Sequence, residues 1–441
     1  MRPAAEHATA RVLVVGASGF IGRQIVFALA RKGCALAVHG RHLALLQQLF
    51  PGARHHGLDL AHVRGPESWR LLLEGVDAVV MAAGIMGESA SGSYAQIHDR
   101  AACALFEACA EAAVRRVVLI STAGAGQPGS AYWETKAAGE RCLARLGMAG
   151  AMADWAVIRP SIVVGRGGAS DGLFRGLAAL PMLVSLKGDP GRLQPLHVTD
   201  LAAAVAAVVL RREPTRAILD AGGPERLKLV EVLQRYRASL GLAPAASLRV
   251  PLGLLAGLGR LAHRLGAPPP LDAEPVRLLA LAPAGVPAPL QEVTGVTARP
   301  LGEALAGDAT ARGDLAEARM TFLGLAARVA LAVLWLGSGL VSLLPFARPS
   351  GPALLAQIGV TGGLGHLLLY GAATLDITVG LALLVNWRPL LTGVAQLVLV
   401  AVFTAILTLR APLWWLHPFG PLLKNLPVLV LILVVMAREG R

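Results

Sequence analysis

Arg11-Val12-Leu13-Val14-Val15-Gly16-Ala17-Ser18-Gly19-Phe20-Ile21-Gly22 is the stretch on which the fold depends. Its first five residues form an apolar run typical of a strand buried on both faces, and a helical pattern follows through Ala30. Strand, glycine turn and helix in that order form the entrance to a dinucleotide-binding unit. Gly16 permits the tight turn, Gly19 lets backbone N–H groups approach a pyrophosphate, and Gly22 lets the helix pack closely on the strand. The positive end of the helix then faces the phosphates, so Gly16, Ser18, Gly19, Phe20, Ile21 and Gly22 are assigned to the cofactor.

The next strand, Ala35 to His39, ends in Gly40-Arg41-His42, where an NAD-specific site places an acidic residue for the ribose hydroxyls. A guanidinium at that point pairs with a 2′-phosphate, so Arg41 makes NADP(H) the preferred cofactor and NAD(H) the alternative. Asp59 and Leu60 follow a third strand. Asp59 reads either as an adenine contact or as a helix N-cap. A fourth strand, Ala78 to Gly84, ends in Ala82, Ala83 and Gly84, whose small side chains leave room for a ring and ribose.

Val117 to Ile120 forms a fifth strand and ends in Ser121-Thr122; Tyr132-Trp133-Glu134-Thr135-Lys136 then opens a helix. Tyr132 and Lys136 are four residues apart and share one helix face. A phenol is a poor base near neutrality, but a neighbouring ammonium and a bound cationic nicotinamide favour its phenolate. Tyr132 can then exchange a proton with a substrate oxygen while hydride moves, with Ser121 or Thr122 holding that oxygen.

Through these motifs the chain resembles the extended or atypical short-chain dehydrogenase/reductases. The resemblance is particularly to the group similar to the nucleotide-binding accessory subunit of respiratory complex I. The resemblance spans about residues 10 to 306. Besides the glycine loop and the Tyr132/Lys136 pair, it rests on Ile158-Arg159-Pro160-Ser161-Ile162-Val163-Val164-Gly165, Pro195-Leu196-His197-Val198-Thr199-Asp200 and Leu219-Asp220-Ala221-Gly222-Gly223-Pro224-Glu225. It implies that Lys136 contacts the nicotinamide ribose, that the backbone after Pro160 faces the nicotinamide, and that Gly165 to Gly172 borders the substrate. The Ser121 to Tyr132 spacing is shorter than in many active members.

Composition supports two solvents for one chain. Of 441 residues, 55% are hydrophobic and only 16% charged, and 41 basic against 28 acidic side chains give +13. No basic cluster with interleaved aromatics appears, so the charge reads as membrane-flanking and phosphate-binding and no nucleic-acid partner is expected. Cys34, Cys103, Cys109 and Cys142 show no paired or metal-type spacing; a disulfide framework and a metal site are not expected. The N-terminus lacks the pattern of a secretory signal, which favours a reducing, cytoplasmic setting for the first domain.

Beyond Met320 the charges thin out. Four apolar segments can be drawn, Phe322 to Leu344, Leu364 to Val385, Leu390 to Leu409 and Leu422 to Ala437, the last being short. Trp387, Trp414 and Trp415 sit at their ends as interfacial anchors. With four spans, Arg312, Arg319, Arg388, Arg438 and Arg441 share one side against Arg348 and Arg410, which mildly favours a cytoplasmic N-terminal domain. This part resembles the DoxX-like membrane family through Trp335-Leu336-Gly337-Ser338-Gly339, Asp376 and His417-Pro418-Phe419-Gly420-Pro421-Leu422-Leu423-Lys424-Asn425-Leu426-Pro427. Asp376, in mid-span, is expected to face the bundle interior, with Lys424 or His366 as candidate partners and a proton or quinone role as the alternative.

The expected architecture is therefore an α/β Rossmann-type doubly wound parallel sheet (residues 10–306), a linker (307–319) and an all-α four-helix transmembrane bundle (320–438). The expected function is hydride transfer to or from a carbonyl or hydroxyl of an apolar or sugar-linked small-molecule substrate, a lipid or quinone among them, in a multi-pass inner-membrane protein. The alternatives are epimerase or dehydratase chemistry, and a non-catalytic NAD(P)-binding sensor or assembly module.

Overall fold

The structure, a computed structural model, describes residues 10–88, 92–189, 193–251, 253–254, 257, 260–261, 289–308, 313–344, 355–357, 359–418 and 420–439. The run Pro268 to Pro270, His263, Arg312, Arg348, Phe419 and Arg441 lie outside these residues. The chain divides into two compact units, one of Met1–Ala256 with Ala273–Leu315, the other of Gly257–Asp272 with Ala316–Arg441.

In the first unit the strands are β1 (Arg11–Val15), β2 (Ala35–Gly40), β3 (Arg54–Gly57), β4 (Ala78–Met81), β5 (Arg116–Ile120), β6 (Asp154–Pro160), β7 (Val163–Val164), β8 (Leu183–Leu186), β9 (Leu196–His197), β10 (Ala217–Ala221) and β11 (Ser247–Val250). Seven of them form one sheet in the order β10-β6-β5-β4-β1-β2-β3, every pair parallel. The helices are α1 (Phe20–Arg31), α2 (Leu43–Leu49), α3 (Ala101–Glu111), α4 (Ala131–Met148), α5 (Ala169–Ala178), α6 (Val198–Leu210) and α7 (Leu229–Ser239). Alternation along each strand assigns residues to opposite faces. Val12, Val14, Ala78 and Val80 join a core with Ile25 and Leu29 of α1 and Leu201 and Val205 of α6. Leu13, Val15, Val79 and Met81 join a second core with Leu105 and Phe106 of α3 and Leu143 of α4. Both faces are covered, which is why the strands read as continuous apolar runs.

The strand order reverses between β1 and β4, and at such a switch point the carboxyl ends of the strands leave a crevice. The expected fourth strand to Gly84 stops at Met81, so Ala82, Ala83 and Gly84 lie in the loop at that crevice. The third strand ends at Gly57, and Asp59 and Leu60 follow it as expected.

One expectation fails here. Cys103 on α3 and Cys142 on α4 form a disulfide across 39 residues of sequence, with Cα atoms 5.8 Å apart, while Cys34 and Cys109 are free. Spacing could not reveal the bridge because the partners meet only when α3 and α4 pack side by side on the sheet. Closing a loop of that length stabilises the native state by about 4 kcal/mol in the chain-entropy model. Dithiothreitol, or Cys142→Ser, is expected to lower the thermal midpoint of the first unit by roughly 10 °C in scanning fluorimetry. Reductant should add nothing in the Ser variant.

The second unit is helical. Asp314–Leu343, Gly362–Leu384 and Pro389–Arg410 are, among the described residues, the helices long and apolar enough to cross a bilayer. The fourth expected segment forms Asn425–Glu439, 15 residues, about 22 Å of helix against a hydrocarbon core of about 30 Å. Their shared core holds Leu331, Ala332, Trp335, Val379, Leu383, Val400, Ile432 and Val435. Two buried polar pairs join the helices: Trp335 Nε1 donates to Gln396 Oε1 (3.0 Å), and Ser338 Oγ donates to Asp376 Oδ2 (2.8 Å). Asp376 does face inward, 8% exposed, but its hydrogen-bond partner is Ser338, and neither Lys424 nor His366 pairs with it among the described residues. His366 stacks on Tyr370, and His417 on Trp414.

Candidate active site

The glycine loop turns at the carboxyl end of β1. Gly16 has φ +82°, and a Cβ there would sit 2.7 Å from Ala83 Cα; a Cβ at Gly22 would sit 2.2 Å from the Gly16 carbonyl oxygen. Neither position admits a side chain. Gly19 caps α1 without a side-chain hydrogen bond, and the first turn of α1, which contains Phe20, Ile21 and Gly22, holds no acidic residue. The amides at the head of α1 are thus left for an anionic group. Ser18 adjoins the end of β2, its Oγ 3.1 Å from where a Cβ on Gly40 would lie. Arg41 follows directly and is exposed. Asp59 Oδ1 accepts from the Ala61 amide (3.0 Å) and caps the short turn Leu60–His62, the N-cap reading of that residue; Leu60 is buried. A dinucleotide fits this donor set: free helix amides for the pyrophosphate, a cation beyond β2, and small residues Ala82 to Gly84 on the far side of the loop.

The expected reactive residues come together on α4 and the end of β5. Ser130 caps α4, so Tyr132 and Lys136 fall in its first two turns. Lys136 is 6% exposed and its Nζ donates to the Ile120 carbonyl (3.1 Å) at the end of β5. A Cβ on Gly84 would lie 3.1 Å from that Nζ and 3.4 Å from His98 Nε2, so the end of β4, Lys136 and His98 meet at one point. Burial lowers the Lys136 ammonium to about 8, against the opposing pull of Glu140. Burial, then the neighbouring Tyr94, holds the Tyr132 phenol above its ordinary range. Among the described residues, nothing hydrogen-bonds the Tyr132 hydroxyl.

Ser121 and Thr122 part company. Ser121 is buried and gives its hydroxyl proton to Glu140 Oε1. The same carboxylate is held by Arg159, whose Nε–H is shared between its two oxygens (3.0 and 3.1 Å) and whose Nη2 donates to Oε2 (2.5 Å). Thr122 is half-buried and, among the described residues, its hydroxyl takes part in no such network. The Pro160 carbonyl at the end of β6 accepts from the Ala123 amide (2.9 Å), which ties the loop after Ser121 to the next strand.

Sequence reasoning missed Glu140 and His98. Glu140 had a signal, since it lies four residues beyond Lys136 on the Tyr132 face. His98 had none: it is 34 positions before Tyr132, in a π-helical turn, Ala95–Arg100, that precedes α3.

Comparison with known proteins agrees with this fold. Residues 16–170 match the NAD(P)H-binding family, and residues 332–433 match the DoxX-like family. Over 202 residues, 44% of this chain, it is 31% identical to the ceramide reductase of Caulobacter vibrioides (strain NA1000 / CB15N). The match spans 60% of that relative's length. In structure it resembles the Bordetella bronchiseptica enzyme WbmH in complex with NAD+ (17% identity, TM-score 0.51, 71% of this chain and 98% of that one). It also resembles a UDP-galactose 4-epimerase (22% identity, TM-score 0.50, 70% and 99%), and likeness at these identities speaks for the fold alone. The chain thus joins an NAD(P)-binding Rossmann domain with epimerase/dehydratase-like neighbours to a C-terminal DoxX-like membrane domain.

Proposed function

We propose that the protein is a membrane-tethered, NADP(H)-preferring reductase that interconverts a ketone and a secondary alcohol on a long-chain lipid. The observation that carries the reading is Tyr132 and Lys136 on the first two turns of α4, with the Lys136 ammonium at the Ile120 carbonyl at the end of β5 and beside Gly84. In this reading Tyr132 exchanges the proton with the substrate oxygen, and the Lys136 ammonium, one helical turn further along the same face, favours its phenolate. Thr122 orients that oxygen, because the hydroxyl of Ser121 is committed to Glu140. Bound NADPH supplies the hydride. The likeness to a ceramide reductase favours a lipid substrate over a sugar nucleotide, and a chain tethered through its apolar C-terminal helices meets such a lipid in the bilayer it is anchored to.

Full-length protein in detergent, given NADPH and a ketoceramide, is expected to consume the nicotinamide absorbance and to leave UDP-glucose untouched. Titration by nicotinamide fluorescence should show saturable binding that favours NADPH, with Arg41→Ala weakening NADPH about tenfold and NADH far less. Binding of both nucleotides without turnover of any lipid ketone would replace the reductase with a cofactor-sensing module.

A further inference from the structure

We propose that His98 is a positioning residue of the reductase site, a neutral imidazole that fixes the Tyr132 ring against the end of β4. The proposal rests on the reading of Tyr132 as the acid/base. His98 is 3% exposed, and both ring nitrogens are engaged. The Ile85 amide donates to Nε2 (3.0 Å), which leaves Nδ1 to carry the proton. Nδ1 lies 3.2 Å from Thr135 Oγ1, whose own proton goes to the Ala131 or Tyr132 carbonyl (2.9 and 3.1 Å). The tautomer is therefore set from both sides. The ring stands edge-on to Tyr132 (centroids 5.3 Å, 84°) and stacks on Tyr94 (5.5 Å, 20°), and Tyr94 itself meets Tyr132 at 5.8 Å.

Two features show that this placement is built. The π-helical turn that carries His98 is anchored by Gln96, whose Nε2 donates to the Leu60 and Val63 carbonyls (3.1 and 2.9 Å). On the other side α4 approaches so closely that a Cβ on Gly139 would lie 2.4 Å from the His98 carbonyl oxygen. Burial, with Lys136 close by, pushes the imidazole down to about 2, so it stays neutral across the working range and adds no second cation beside Lys136. One side chain thereby couples the loop after β4, which borders the cofactor, to the helix that carries the phenol.

The test uses full-length protein in detergent, without nucleotide, labelled with carbon-13 at the tyrosine Cζ. The chain has four tyrosines, Tyr94, Tyr132, Tyr236 and Tyr370, and Tyr132→Phe assigns the signal. His98→Leu keeps bulk and removes both hydrogen bonds; it is expected to shift the Tyr132 resonance and bring its titration down by about one pH unit or more as water reaches the ring. Tyr236 and Tyr370 should not move, and His98→Gln, which retains a donor and an acceptor, should restore most of the effect. Thr135→Val, which removes the Nδ1 partner from the opposite side, should move the signal in the same direction and covers the case in which the Leu variant does not fold. With NADPH and ketoceramide, His98→Leu should lower kcat about 100-fold while the KM for NADPH changes little. A Tyr132 signal and a kcat unmoved by both His98→Leu and Thr135→Val would overturn the proposal. If Tyr132→Phe itself left turnover intact, the acid/base reading of Tyr132 would fall instead, and the cofactor-free titration would still decide the place of His98.

Discussion

Tyr132→Phe is expected to lower kcat for lipid ketone reduction about 1,000-fold while nucleotide binding and the thermal midpoint stay at wild-type values. The variant keeps the ring that packs on His98 and Tyr94 and removes only the hydroxyl, which has no hydrogen bond among the described residues. Fold and cofactor cradle should therefore be untouched, and the loss can be read as transition-state stabilisation. In the reductive direction Tyr132 must arrive protonated, and burial, which raises its phenol, secures that proton over the working range. The alkaline limb of the rate profile then belongs to Lys136. Its ammonium sits at about 8, so it is charged below that pH and loses its charge above it. Turnover is expected to decline as pH rises through about 8, and Lys136→Met should be slow throughout with that limb gone. Pre-steady-state nicotinamide absorbance across a pH series checks both outcomes. A Phe variant as fast as wild type would remove the acid/base role from Tyr132 and move the proton donor to another group.

Arg116→Leu is expected to cost about 3–5 kcal/mol of stability, enough to unfold much of the first unit at growth temperature. Arg116 and Asp154 are register partners at the amino ends of β5 and β6, with side chains 1% and 5% exposed, and form an ion pair. The guanidinium also donates to the carbonyls of Val208, Val209 and Arg211 (2.7, 2.9 and 2.6 Å) and of Glu213 (2.9 Å). It is thus the cap of the carboxyl end of α6, where a positive charge is also favoured by the helix dipole. The partner Asp154 takes the Thr215 amide through its other oxygen (2.7 Å). Removing Arg116 leaves a buried carboxylate and four carbonyls without their cation, which is why the loss exceeds that of an ordinary ion pair. Asp154→Leu on top of Arg116→Leu should recover part of the stability, since a buried charge is then no longer left alone. Urea unfolding followed by tryptophan fluorescence gives the comparison. Because the pair lies at the opposite end of the strands from Gly16 and Lys136, the folded fraction of either variant should bind NADPH normally.

How much of this was legible beforehand differs from place to place. The nucleotide half announced itself because each requirement was local: the turn after β1 needs glycine at Gly16 and Gly22, and the helix that follows needs its apolar face in register. Tyr132 and Lys136 were legible for the same reason, being one helical turn apart. The hydroxyl partner was not. Ser121 and Thr122 are equivalent as sequence, and only the arrival of Glu140 from α4 and Arg159 from β6 separates them. The four spans were drawn from hydropathy, yet the last is 15 residues long, a matter of where the helix starts after Pro421 and its turn.

The sequence by itself therefore determined the Rossmann order of elements, the phosphate-binding loop, the Tyr132/Lys136 pair and the apolar C-terminal domain. Each depends on residues within one or two turns of one another, where periodicity and backbone sterics act directly. Tertiary structure alone decided the Cys103–Cys142 bridge, the Arg116 cap on α6, the withdrawal of Ser121, Ser338 as the partner of Asp376, and the place of His98 against Tyr132. These pairs lie from 19 to more than 90 positions apart, and they meet because parallel strands and their crossover helices bring distant segments, or packed membrane helices bring successive ones, to a single point.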